Sequence, residues 1–242
     1  MSTARLSLGD RKLRPANRRR TSGGDAATVH GVSKAAAIKH GYTAGARTLA
    51  SRSMLGLART RVTPNALTAA GVTLCGLASV LVLFENRHEI LFYWLAAVVF
   101  VAGSVLDILD GALARAGGKT TSFGAFIDST TDRVSEGFML TAIAFVFARH
   151  GRDVFVAVAM AAVAGSFLVS YTRARAEALG LRGDVGIGSR AERVVVITAG
   201  LVLAPWGVLP WAIAVLALTA WLTVVQRVLH VRKQLLEANP RE

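Results

Sequence analysis

Long apolar runs alternate with short polar segments through most of the chain. Six such runs cover about Asn65 to Phe84, Ile90 to Asp110, Phe123 to Phe147, Val154 to Tyr171, Val194 to Ala204 and Trp211 to Val231. A helix that crosses a bilayer needs about 20 largely apolar residues, and the fifth run, which Pro205 interrupts, is the weakest. The pattern predicts an all-α fold, an integral membrane bundle of six transmembrane helices.

The residues before the first apolar run form two segments of different character. Residues 1–32 are basic, contain Ser and Gly and have no apolar periodicity, which predicts a disordered basic tail. Residues 33–61 place Ala, Ile, Tyr, Leu and Met at near-helical spacing between Lys and Arg, which predicts an N-terminal juxtamembrane amphipathic helix. The membrane domain then covers residues 62–235, and residues 236–242 form a short cytoplasmic tail.

Composition agrees with a membrane protein and also gives its orientation. The chain is 53% hydrophobic yet has a net charge of +13, and this combination is unusual for a soluble domain. We expect no nucleic-acid partner. Most Lys and Arg lie before the first run or in alternate loops, and the opposite loops hold only Arg87, Arg149 and Arg152. By the positive-inside rule we expect a multi-pass protein of the cell membrane with both termini cytoplasmic. The single cysteine, Cys75, excludes an intramolecular disulfide and a thiolate-rich metal site.

Four aspartates interrupt the second and third apolar runs, and carboxylates at membrane depth are costly. They are Asp107, Asp110, Asp128 and Asp132. Within each pair the residues are three or four positions apart, so they share a helix face, and Gly117 and Gly118 allow a tight reversal between the two helices. Hard oxygen ligands without His or Cys indicate Mg²⁺, with Mn²⁺ as the alternative, and about two such ions would neutralise the cluster.

Glycine, alanine and arginine stand at fixed places between the aspartates. With Gly111, Ala114, Arg115 and Gly124 they form the pattern DxxDGxxARx8Gx3Dx3D. This pattern resembles the signature of the CDP-alcohol phosphotransferases at every fixed position, and the likeness extends from about residue 50 to residue 235. The resemblance implies transfer of a substituted phosphate from a CDP-linked lipid to an alcohol with release of CMP. It also implies a homodimer.

The resemblance assigns roles within this signature. Asp107, Asp110 and Asp128 would ligate the metal ions, and Asp132 would ligate them or act as general base toward the acceptor hydroxyl. Gly111, Ala114, Arg115 and Gly124 would line the CDP site. The residue types agree with these roles, because glycine lets a phosphate approach the backbone closely and arginine offers a fixed positive charge.

A second group of residues concerns the acceptor alcohol. Arg173 and Arg175 lie at the end of the fourth run near Ser170, and Arg190 and Arg193 are one helical turn apart at the start of the fifth. Such guanidinium groups suit a phosphorylated acceptor, although ordinary loop charge is the alternative. The segment YTRARAEALGLRGDVGIGSRAER also resembles that of actinobacterial phosphatidylinositol phosphate synthases, which join CDP-diacylglycerol to inositol 1-phosphate. The resemblance implies that these five residues hold the acceptor phosphate.

Three other functions stay open at this point. A transferase of the same family could use another acceptor, such as glycerol 3-phosphate in a phosphatidylglycerol phosphate synthase. A cation-binding membrane transporter could use the carboxylates as an ion path. A lipid-surface scaffold would depend on the basic tail and not on the aspartates. We favour transfer to inositol 1-phosphate.

Overall fold

The computed structural model describes residues 63–116 and 120–238. The tail and amphipathic helix expected over residues 1–61 and the reversal at Gly117 and Gly118 lie outside these ranges. The described helices are α1 Pro64–Val82, α2 Glu89–Ala116, α3 Ser122–Arg149, α4 Asp153–Ala178, α5 Arg190–Val202 and α6 Leu209–Ala238, with a 3₁₀ turn at Ala204–Trp206. The described ranges contain no strand, so the all-α prediction is confirmed for them.

Local sequence explains where two of these helices begin. The Thr63 hydroxyl accepts a hydrogen bond from the Ala66 backbone N–H at 3.3 Å, and Pro64 occupies the first turn, where no N–H is needed. The Thr121 hydroxyl accepts from the Gly124 N–H at 2.9 Å and caps α3 in the same way. Thr63 and Thr121 line the same cavity as Asp110 and Asp128, so both helices begin at the end of the bundle that carries the aspartates.

Four helices, α1, α2, α4 and α6, are long and apolar enough to cross a membrane. Helix α3 has the same length as α2, 28 residues, but carries four charged residues between its start and its centre: Asp128, Asp132, Arg133 and Glu136. Helix α5 has 13 residues and is therefore about 20 Å long, short of a hydrocarbon core of about 30 Å. The count of six spans therefore stays a prediction.

The helices pack against one another in a bundle. Helix α1 packs against α2 and α3, α4 packs against α3 and α6, and α5 packs against α2 and α6. The centre of this bundle is filled by large apolar side chains from four helices: Phe100, Met139, Leu140, Ile143, Ile197, Leu201, Ile213 and Leu216. Apolar side chains such as Val98 and Trp211 point outward and are largely exposed, as expected for helices that face lipid.

Two glycines allow α1 and α2 to touch near the aspartates. A Cβ atom added at Gly103 would lie 2.8 Å from the Gly71 carbonyl oxygen and 2.8 Å from the Cys75 sulfur. A Cβ atom added at Gly71 would lie 3.5 Å from the Asp107 Cβ. Close backbone approach through small residues is typical of helices packed in membranes. This contact fixes α1 against the part of α2 that carries Asp107.

Replacing Gly103 by Ala should therefore destabilise the protein. The new methyl group would overlap a backbone oxygen, and overpacking of this kind costs about 1–3 kcal/mol. We expect Gly103→Ala to melt several degrees lower than the wild type in detergent, measured by thermal unfolding. Gly76→Ala on α1 is the matched control, because no atom lies within 4 Å of its added Cβ. Equal melting temperatures for the two variants would contradict this account.

Candidate active site

Three carboxylates converge where the end of α2 meets the start of α3. One oxygen each from Asp107, Asp110 and Asp128 lies within 4.8 Å of the other two. Asp107 and Asp110 are 5% and 3% exposed, so their charges are withdrawn from solvent. Their spacing of three residues places both side chains on one face of α2, as the sequence predicts. The three aspartates are called the carboxylate triad below.

The donor set of the carboxylate triad fits a divalent cation. Like charges at this separation repel, and buried carboxylates need a compensating partner. Of the ion pairs within residues 63–116 and 120–238, none includes Asp110 or Asp128. Oxygen ligands alone are the set that Mg²⁺ and Mn²⁺ accept. The triad could thus hold a metal ion that supplies the missing positive charge.

Asp132 lies one turn after Asp128 on α3 and has a different neighbour. Its Oδ1 atom is 2.8 Å from Nη1 of Arg190, the first residue of α5, and the same Nη1 donates to Asp107 Oδ2. Arg190 therefore bridges Asp132 and one member of the carboxylate triad. Asp132 is not one of the three converging carboxylates, and its role as a metal ligand stays a prediction.

A hydroxyl group that the sequence does not indicate also reaches the triad. Thr68 on α1 donates a hydrogen bond to Asp110 Oδ2. The two residues are 42 positions apart, and only the packing of α1 against α2 brings them together. This bond orients the Asp110 carboxylate of α2 from the neighbouring helix α1.

A cavity of about 380 Å³ opens beside the carboxylate triad, large enough for part of a nucleotide. Its walls contain two aspartates and all four residues of the expected CDP site: Asp110, Asp128, Gly111, Ala114, Arg115 and Gly124. A Cβ atom at Gly111 would lie 3.3 Å from Nη1 of Arg115, so the absence of a side chain there leaves room for the guanidinium. The cavity brings these residues together, and their contact with CDP stays a prediction.

The residues expected to bind the acceptor phosphate fall into separate environments. Arg190 lies at the aspartates, whereas Arg173 and Arg175 are exposed near the end of α4 and Ser170 is half-buried there. Arg173 Nε donates to Glu177 Oε1 at 2.8 Å. Arg193 is buried, and its guanidinium is held by Glu136 through bonds of 2.7 and 2.9 Å. Their binding of the acceptor stays a prediction.

Sequence reasoning missed two charged residues near this region. Arg227 on α6 is buried, lies within electrostatic range of Arg173 and Arg193, and donates to the Val185 carbonyl at 2.8 Å. It lies inside the sixth apolar run, close to the end where basic residues are expected from the positive-inside rule, so its charge alone indicated no function. Glu136 had a signal, because it follows Asp128 and Asp132 at a spacing of four and continues their stripe on α3.

Comparison with known proteins identifies the family. The model of the CDP-alcohol phosphatidyltransferases matches residues 61–226. The chain belongs to the CDP-alcohol phosphatidyltransferase family. It is 37% identical over 180 residues to the archaetidylinositol phosphate synthase of Pyrococcus horikoshii, which covers 74% of this chain and 88% of that protein. It is also 37% identical over 175 residues to the phosphatidylinositol phosphate synthase of Mycobacterium tuberculosis, with coverage of 72% and 78%.

Solved structures agree with this membership. The crystal structure of the M. tuberculosis phosphatidylinositol phosphate synthase with CDP-DAG bound superposes with a TM-score of 0.67 at 33% identity, covering 76% of this chain and 94% of that one. The same enzyme in complex with manganese and citrate gives a TM-score of 0.67 at 34% identity, with coverage of 75% and 88%. Membership in this phosphatidyltransferase family, together with the apolar helices, makes this protein a multi-pass membrane enzyme of phospholipid synthesis.

The carboxylate triad should be required for binding a divalent metal. Replacing Asp128 by Asn removes one charged ligand, and we expect Mn²⁺ to bind about 10–100-fold more weakly, measured by titration calorimetry in detergent. Asp153→Asn, in the first turn of α4, is the control for loss of one carboxylate away from the triad. If Asp128→Asn bound Mn²⁺ as tightly as the wild type, the triad would not be the metal site.

Proposed function

We propose that this enzyme transfers the phosphatidyl group of CDP-diacylglycerol to inositol 1-phosphate, giving phosphatidylinositol phosphate and CMP. The observation that carries the proposal is the position of Arg190, whose guanidinium contacts both Asp107 and Asp132. If this arginine held the acceptor phosphate, a hydroxyl group of the inositol ring would lie near Asp132. An acceptor without a phosphate would offer no anionic group to the Arg190 guanidinium.

The named relatives support this acceptor. One is an archaetidylinositol phosphate synthase and the other a phosphatidylinositol phosphate synthase, so their names differ in the lipid and agree on inositol phosphate. The mycobacterial enzyme has been crystallised with CDP-DAG bound, which supports CDP-diacylglycerol as the donor. The acceptor thus has support from two relatives that differ in the lipid named.

The donor is proposed to bind in the cavity beside the carboxylate triad. Gly111, Ala114, Arg115 and Gly124 would contact the CDP moiety, with Arg115 directed toward a phosphate. A divalent cation on Asp107, Asp110 and Asp128 would offset charge on the pyrophosphate and on the departing CMP. We propose Mg²⁺ as this cation in the cell, with Mn²⁺ able to replace it and with two ions bound at the carboxylate triad.

The transfer step is proposed to use Asp132 as general base. The acceptor hydroxyl oxygen forms a bond to the β-phosphorus of the CDP-lipid, the bond from that phosphorus to CMP breaks, and the hydroxyl proton passes to Asp132. Arg190 keeps the Asp132 carboxylate directed into the site through their contact of 2.8 Å. Ser170, Arg173 and Arg175 would add donors to the acceptor phosphate from the end of α4.

The arrangement in the membrane follows from the charge distribution. We propose six spans, with the site and both termini on the cytoplasmic side, because most Lys and Arg of the sequence lie before the first apolar run or in alternate loops. Soluble inositol 1-phosphate and CMP could then enter and leave from the cytoplasm. A homodimer is proposed from the family resemblance.

A panel of acceptors tests the proposed function. Purified enzyme with CDP-diacylglycerol and Mg²⁺ should release CMP with inositol 1-phosphate and not with free inositol, because only the former offers a phosphate to Arg190. CMP is measured by chromatography, with a reaction lacking acceptor as the control. Release that depends on glycerol 3-phosphate would instead assign the protein to phosphatidylglycerol phosphate synthesis.

Loss of the Asp132 base should slow the transfer step more than it weakens donor binding. We expect Asp132→Asn to lower kcat about 10²–10⁴-fold while the KM for the CDP-lipid stays within about twofold. Initial rates of CMP release measure both constants, and Asp153→Asn is the control. A kcat near that of the wild type would exclude Asp132 as the base.

A further inference from the structure

A buried ion pair next to the candidate site connects α3 to α5. Arg193 Nε donates to Glu136 Oε1 at 2.7 Å, and Nη2 of the same guanidinium donates to Glu136 Oε2 at 2.9 Å. Both residues are nearly withdrawn from solvent, at 8% exposure for Glu136 and 7% for Arg193. A two-bond contact between a planar guanidinium and a carboxylate fixes orientation as well as distance. The two residues are called the Glu136–Arg193 fork below.

The Glu136–Arg193 fork also holds the chain just before α5. The third nitrogen of the guanidinium, Nη1, donates to the Gly188 carbonyl at 2.8 Å. Gly188 is two residues before Arg190, with Ser189 between them. One buried side chain thus joins α3, α5 and the last residues of the connecting loop.

Helix α6 holds the same point from the other side. The Gly188 N–H donates to the Thr223 hydroxyl at 3.1 Å, and that hydroxyl donates to the Thr219 carbonyl at 2.8 Å. Gly186 has φ of 121°, and a Cβ atom there would lie 2.3 Å from Cγ2 of Thr223. Both polar backbone groups of Gly188 are therefore bonded, and no other residue type fits at Gly186 without movement.

The end of this fixed segment is the first turn of α5, which begins with Arg190. Ser189 caps the helix through a reciprocal pair of bonds with Glu192, 2.7 Å from the Ser189 N–H to the carboxylate and 3.4 Å from the Glu192 N–H to the hydroxyl. The position of Arg190 relative to Asp107 and Asp132 thus depends on how this turn is held. Displacements of about 1 Å at a reacting group can cost about 100-fold in rate.

Buried ion pairs are weak evidence for stability, because the desolvation cost offsets the attraction. We propose that Glu136 is a positioning residue: through the Glu136–Arg193 fork it sets the first turn of α5 so that Arg190 faces Asp107 and Asp132. Arg193 acts on this turn and does not bind the acceptor itself. The inference rests on the proposed function, since Arg190 is assigned there to the acceptor phosphate.

Kinetics of Glu136→Gln test the proposal. The amide cannot hold the guanidinium as the carboxylate does, so the turn loosens while Arg193 keeps its charge. We expect the KM for the phosphorylated acceptor to rise about tenfold or more, with the KM for the CDP-lipid within about twofold of wild type. If Arg193 bound the acceptor directly, releasing its charge would leave the acceptor KM unchanged or lower it, and that result would overturn the proposal.

A matched control separates positioning from general destabilisation. Glu85 is an equally buried carboxylate at the opposite end of the bundle, where Arg149 and His150 contact it at 2.9 and 3.1 Å. We expect Glu85→Gln to lower the melting temperature about as much as Glu136→Gln and to leave the acceptor KM unchanged. An equal rise of acceptor KM in both variants would assign the effect to stability alone and contradict the proposal.

The double variant Glu136→Leu, Arg193→Met removes the fork without leaving an unpaired charge. Such replacements keep or raise stability in many proteins, so we expect a melting temperature near that of the wild type together with the raised acceptor KM. A wild-type acceptor KM in this variant would overturn the proposal.

All variants are assayed with the phosphorylated alcohol that the wild-type enzyme uses. If the wild-type enzyme uses no phosphorylated alcohol, the proposed function fails, and this failure is independent of the Glu136–Arg193 fork.

Discussion

Four aspartates lie in helices that are otherwise apolar, and a buried carboxylate costs several kcal/mol unless a cation or hydrogen bonds compensate it. Within residues 63–116 and 120–238, Thr68 donates a hydrogen bond to Asp110 and the Arg190 guanidinium contacts Asp107, while no ion pair includes Asp110 or Asp128. The negative charge of the carboxylate triad suits a divalent cation, and a cation held there would in turn attract phosphate groups.

Four helices, α1, α2, α3 and α5, contribute side chains at this point. Gly71 and Gly103 bring α1 against α2, so that Thr68 reaches Asp110. Helix α5 is shorter than its neighbours, and its first residue, Arg190, contacts the aspartates. Rigid placement of charged groups before the substrate binds is a general means by which enzymes stabilise a developing charge. The Glu136–Arg193 fork belongs to the same arrangement, since it holds the turn from which Arg190 extends.

Sequence spacing alone accounts for part of the geometry at the aspartates. Residues three or four apart on a helix share a face whatever else surrounds them, so the pairs Asp107 with Asp110 and Asp128 with Asp132 could be placed beforehand. The caps at Thr63 and Thr121 depend equally on local chemistry. Membership in the CDP-alcohol phosphatidyltransferase family, expected from eight fixed positions, was confirmed. Length and hydropathy gave the helical class but not the number of spans, because α3 is charged and α5 is short.

The sequence by itself determined which residues carry charge within the apolar segments, which of these residues share a helix face, and to which family the protein belongs. Tertiary structure alone decided how those faces meet: Asp132 contacts Arg190 instead of joining the carboxylate triad, and Arg193 is bound by Glu136. Arg190 and Arg193 are only three positions apart and look equivalent in the sequence. They differ because helix packing places Arg190 at the carboxylate triad and encloses Arg193 between α3 and the loop before α5. Such contacts depend on residues that are distant in the chain.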